Sequence, residues 1–217
     1  MATPLTQRGG TRLALIALGG VSMIAGLAGA LALVGVLDGA APVAPVHGPL
    51  MVNGLVSTVI GLERAAALRE LWAFAAPVLT GVGGILLLTP VPQQVGFALQ
   101  AAGLALLVVI YWRLFARGPG VPVGVEWLAS VLALGGAILW LVGEPTPSVM
   151  PWITGYLVLT IAGERLELSA VGAPPPAASK ILVGLSALLA VTAPLSLALP
   201  TPGNQLFALG LLGIAAW

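Results

Sequence analysis

Leu13-Ala14-Leu15-Ile16-Ala17-Leu18-Gly19-Gly20-Val21-Ser22-Met23-Ile24 continues without a charge to Val36, and this run decides the class of the fold. It is 24 residues long. A bilayer core of about 30 Å needs roughly 20 apolar residues in a helix rising about 1.5 Å per residue. Arg8 and Arg12 precede the run, so a secretory leader is the rival reading, but a leader's apolar region is usually only about 7–15 residues. The segment reads as a retained first membrane helix.

The same ruler, moved outward, places apolar spans at 13–36, 46–62, 72–90, 95–112, 123–142, 149–163, 181–199 and 205–217. The sixth is short and is expected to continue past Glu164. Pro-rich or polar breaks fall at 38–45, 89–94, 117–122, 143–148, 172–179 and 199–204, and only the break between spans two and three is helical in composition. The expected fold is all-α, a polytopic transmembrane bundle of about eight helices. Composition agrees: charged residues are 7% of the chain, against about 25% in soluble domains. Too little polar surface exists to clothe a soluble core, so lipid is the expected solvent.

Composition also removes function classes. The absence of cysteine excludes disulfides, thiolate catalysis, iron–sulfur clusters and Cys-type zinc sites. One histidine cannot supply a multi-His zinc site, and no Ser/His/acid set is present. A net charge of +1 gives no reason to expect nucleic acid. Gly83-Gly84 and Gly135-Gly136 follow no strand and carry no Lys-Ser/Thr, so they form no phosphate loop.

Orientation follows from the basic residues, which favour cytoplasmic loops. With the N-terminus inside, Arg8, Arg12, Arg64, Arg69, Arg113, Arg117, Arg165 and Lys180 all fall on the cytoplasmic side. The other side carries Asp38, Glu144 and His47. A cell (inner) membrane location is expected. The last span, 205–217, is about 20 Å of helix and falls short of crossing, so the sequence is expected to be a piece of a longer chain.

Span two ends Ile60-Gly61-Leu62-Glu63-Arg64-Ala65, and span six ends Ile161-Ala162-Gly163-Glu164-Arg165-Leu166. Both run outside to inside, which suggests two parallel four-helix repeats, 1–118 and 119–217. Adjacent Glu and Arg sit about 100° apart on a helix. Glu63, Arg64, Glu164 and Arg165 are therefore expected as structural charge pairs across the repeat, with a proton or ion path as the functional alternative.

Span two opens His47-Gly48-Pro49-Leu50-Met51-Val52-Asn53-Gly54. Pro49 suits a first turn, where its missing N–H costs nothing. His47 then lies at the outer leaflet with Met51 four residues on. Gly54, Thr58 and Gly61 continue a small-residue stripe, leaving room for a flat ligand or a close helix. A His and Met pair is a soft donor set for copper, with Met150 as a further candidate. A headgroup-level histidine is the plainer reading of the same residue.

His47-Gly48-x-x-Met51, opening an outside-to-inside second helix, resembles the second helix of the catalytic subunit of haem–copper oxidases, where the histidine is an axial haem ligand. It also resembles the start of that helix in NnrS-type proteins, membrane proteins of nitric-oxide metabolism that carry haem and copper. The resemblance implies a haem-binding protein with His47 as axial ligand, a cofactor-binding segment of His47 and Met51, and electron-transfer or nitric-oxide chemistry. It departs from the oxidases at span six, where Ser148-Val149-Met150-Pro151-Trp152 holds no copper-binding histidine. Beside it stand two alternatives. One is a transporter or channel built on parallel repeats, whose mid-span polar residues would be Asn53, Thr80, Gln100, Ser130 and Thr192, with Pro77 and Pro194 as helix breakers. The other is a non-catalytic subunit that packs against a partner or a second copy. Trp72, Trp112, Trp127, Trp140 and Trp152 read as interface anchors under all three.

Overall fold

The computed structural model describes residues 9–169 and 176–217; Arg8 of the charge count and part of the break at 172–179 lie outside the described residues. All regular structure among them is helical. The helices are α1 (Gly9–Leu33), α2 (residues 47–68), α3 (Ala75–Leu86), α4 (Gln93–Arg117), α5 (Val121–Leu141), α6 (Thr146–Ser169), α7 (Pro176–Ala198) and α8 (Pro200–Ala216). Five segments are long and apolar enough to cross a bilayer: Arg12–Leu33, Asp38–Leu68, Gln93–Arg117, Val121–Leu141 and Ala177–Ala198. The all-helical membrane bundle expected from composition is the fold observed.

Several boundaries move, each for a local reason. The Pro-rich break at 38–45 is a 3-10 helix, Asp38–Val46, with Pro42 and Pro45 inside it. Fixed proline φ angles suit a helical turn, and the missing N–H groups prevent a regular α ladder. The break after span two is not helical throughout. Arg69 takes a left-handed φ of 60°, its N–H closing on the Ala65 carbonyl at 3.1 Å, and extended Glu70 comes next. A 3-10 turn, Leu71–Phe74, then leads into α3. Span six does continue past Glu164, to Ser169. The break at 199–204 shrinks to Leu199 because Pro200 starts α8 directly. α8 therefore begins before 205 and runs back along α7 until the Trp217 indole donates to the Ala178 carbonyl at 2.9 Å.

The chain forms two compact units, Met1–Ile110 with Trp140–Gly143, and Tyr111–Leu139 with Glu144–Trp217. In the first, small residues on α1 let the 3-10 segment and α2 lie almost backbone to backbone. A Cβ on Gly29 would sit 2.9 Å from the Val43 carbonyl, and one on Gly26 would sit 2.6 Å from Met51 Cγ. Val46, Leu50 and Leu87 fill the adjoining core with Ala25 and Phe97 around them. Close approach of small residues is how helices pack where lipid removes the usual hydrophobic drive.

In the second unit, α7 and α8 form the tightest hairpin. A Cβ on Gly203 would fall 2.5 Å from Ser196 Cα. Trp152 lays its ring on Gly135 of α5. In the first unit Trp140, only 5% exposed, covers Gly48. Both rings pack on a glycine, which gives each room against the protein.

Candidate functional site

The candidate site is the start of α2. Buried Val46 anchors the end of the 3-10 segment, and an α turn, His47–Pro49, begins the helix. His47 is half-buried, and its Nδ1 donates to the Ala44 carbonyl at 2.7 Å. A carbonyl only accepts, so Nδ1 carries the proton and Nε2 of the neutral ring keeps its lone pair. A backbone carbonyl gripping one ring nitrogen is how metal-ligating histidines are oriented. The same bond also settles an imidazole at a helix start without any ligand.

Below His47, α2 changes form. Leu50–Val56 is a π stretch before the α-helix resumes at Ser57–Leu68. The Ser57 N–H and hydroxyl both turn to the Val52 carbonyl, the hydroxyl at 3.1 Å. Such π turns recur at functional sites because they free carbonyls and rotate the next turns of the helix. Here Gln100 of α4 donates to the Pro49 carbonyl at 3.4 Å and accepts from Asn53 at 3.2 Å. Thr58 pairs with Thr80 of α3 at 2.9 Å, and Thr80 also reaches the Ala76 carbonyl. Asn53, Thr80 and Gln100 look scattered along the sequence, yet the fold buries them in two polar pairs of the first unit, Asn53 with Gln100 and Thr80 with Thr58.

The stripe below His47 is filled. Gly54 lies against buried Ser22 of α1 and Gly84 of α3, Thr58 is engaged with Thr80, and Gly61 meets Pro77. No slot for a flat ligand runs down this face; of the two expectations for the stripe, a close helix is the one realised. Pro77 sits in the first turns of α3 and breaks no span. Met51 packs its stem over Gly26, Cγ lying 2.6 Å from where a Cβ would be. Met150 belongs to the second unit, on α6, and is 47% exposed. Among the described residues there is no group of three His, Cys, Asp or Glu that could hold a metal ion.

The two Glu-Arg pairs differ. In the first unit Arg64 approaches Glu63 at 3.9 Å, with the Arg side chain 9% and the Glu 61% exposed. In the second, Glu164 is half-buried and Arg165 exposed. Arg165 lines a cleft with Ile161 and Trp217. Sequence reasoning missed Glu126, a fully buried carboxylate in α5 whose Cγ packs on Gly163 of α6. Its signal was present, an acid within the apolar run Val121–Leu141. An intramembrane ionisable group is a functional candidate by default.

Residues 12–217 match the family described as a domain of unknown function, DUF8744. The chain belongs to the DUF8744 family. No curated protein and no solved structure matches it.

Proposed function

We propose that this multi-pass membrane protein binds haem at its non-cytoplasmic face, with His47 as one axial ligand. The observation that carries the reading is the 2.7 Å bond from Nδ1 to the Ala44 carbonyl, which leaves Nε2 as the donor atom for iron. The resemblance of His47-Gly48-x-x-Met51 to the second helix of haem–copper oxidases and NnrS-type proteins supports it. The filled stripe of Gly54, Thr58 and Gly61 means that the macrocycle does not lie along that seam. Haem supplies redox and small-molecule-binding chemistry when bound. The chain's part is to hold an oriented imidazole beside the membrane surface. One histidine fills one axial position, and any second histidine ligand would have to come from a partner. Copper at the same imidazole is the soft-metal form of this proposal.

Purification from haem-replete cells is expected to give a Soret band that His47→Ala removes while the thermal melt stays within a few degrees. A colourless, folded wild type that also ignores added haemin would defeat the proposal. Electron transfer or nitric-oxide handling would follow from the bound haem and is not implied by the fold alone.

A transporter reading draws on a different observation, the π stretch of α2 joined to the Asn53–Gln100 bond inside membrane-crossing helices. Irregular helix at membrane depth is where carriers place their sites. Liposome flux that Asn53→Ala abolishes would favour this reading over haem.

A further inference from the structure

The second unit holds an open apolar groove of about 470 Å³ between α5 and α7, with Phe115 of the last turn of α4 in its lining. Its size falls in the range of roughly 300–1,000 Å³ usual for small-molecule sites. Phe115, Gly120, Gly124 and Leu128 make one wall, and Val183 and Ser186 the other. The groove is apolar for a structural reason, because the Ser186 hydroxyl turns back onto the Leu182 carbonyl at 2.7 Å. It is also accessible, since Val183 remains 47% exposed. Gly124 widens it: a Cβ there would meet the Phe115 ring at 3.4 Å.

Two cations precede the lining residues in the chain. Arg117 lies between Phe115 and Gly120 in the chain, and Lys180 stands one turn ahead of Val183 on the same side of α7. Both are exposed. Among the described residues, no acid lines the groove. From Val121 to Leu128 it extends about 10 Å along the helix axis, away from these cations. An apolar trough whose lining residues on α5 and α7 are each preceded within a turn by an exposed cation has the polarity of a phospholipid, an acyl chain along the trough and a phosphate at its cationic start. A neighbouring protein helix would need no cation at that point.

We propose that this groove is a binding site for an anionic phospholipid, its acyl chain lying between α5 and α7 and its phosphate held by Lys180 and Arg117. Polybasic ends of membrane helices attract anionic headgroups with a strength of about fivefold per cation. The proposal is independent of the haem reading.

Native mass spectrometry of the detergent-purified chain, titrated separately with phosphatidylglycerol and phosphatidylcholine, tests it. The wild type is expected to retain one phosphatidylglycerol in preference to phosphatidylcholine. Lys180→Gln should reduce that preference about fivefold, whereas Lys180→Arg should keep it. Gly124→Leu, which fills the groove and leaves both cations in place, should lose the retained lipid of either kind. Circular dichroism melts of each variant establish that it is folded. Equal retention of the two lipids, retention unchanged by Gly124→Leu, or a dimer that Gly124→Leu dissociates would each overturn the proposal, the last by giving the groove to a second copy.

Discussion

α2 and α6 end in nearly the same words, Ile60-Gly61-Leu62-Glu63-Arg64 and Ile161-Ala162-Gly163-Glu164-Arg165, yet they bury different residues. In α2 the arginine is buried and the glutamate exposed; in α6 the arginine is exposed and the glutamate half-buried. The glycine explains much of this. It stands three residues before the arginine in α2 and two before it in α6. One residue is about 100° of helix rotation, so the face that can approach a neighbour is turned by that much. Gly61 is consequently met by Pro77 of α3, while Gly163 is met by Glu126 and the Pro122 carbonyl of α5. A motif shared in sequence thus serves different contacts, because the smallest residue decides which helix comes close.

The sharpest way to break this comparison is to put one methyl group on each glycine. Gly163→Ala places a Cβ 2.6 Å from Glu126 Cγ and is expected to cost about 1–3 kcal/mol of overpacking. Gly61→Ala meets Pro77 at 3.4 Å, an ordinary contact, and should be neutral or gain up to about 1 kcal/mol of helix propensity. Thermal melts in one detergent compare them, and equal losses would show that glycine placement is not what separates the two helices.

Removing the arginines is expected to have a smaller effect. Arg64→Ala withdraws a side chain that is 9% exposed and should cost about 1 kcal/mol or more, whereas Arg165→Ala should stay within about 0.5 kcal/mol. The reverse order in denaturant titrations would mean that the exposed guanidinium has the stronger partner.

The weakest expected signal belongs to the buried Asn53–Gln100 pair of the first unit. A double-mutant cycle of Asn53→Ala and Gln100→Ala should give a coupling of about 0.6 kcal/mol, the average for hydrogen bonds between membrane helices. Thr160 of α6, by contrast, spends its hydroxyl on the Tyr156 carbonyl of its own helix. A coupling near zero would make Asn53 and Gln100 two independent polar residues.

The first helix and the four other crossing segments were legible because about twenty predominantly apolar residues admit one cheap environment, lipid. His47 at the opening of α2 was legible too, from Pro49 just behind it. The filling of the Gly54–Thr58–Gly61 stripe was not, because a glycine row reads the same whether a ligand or a neighbouring backbone lies against it. Nor was the left-handed turn at Arg69, since an arginine carries no signal for positive φ.

Sequence by itself determined that this chain lives in a membrane, that it is helical, and that its one imidazole begins α2. Those conclusions rest on transfer free energies and on chain geometry, which each residue carries with it. Tertiary structure alone decided that Asn53 meets Gln100 and that Glu126 is buried on Gly163. Each depends on which face of a helix a neighbour reaches, and a rotation of about 100° per residue makes that face sensitive to a single glycine or a single π turn.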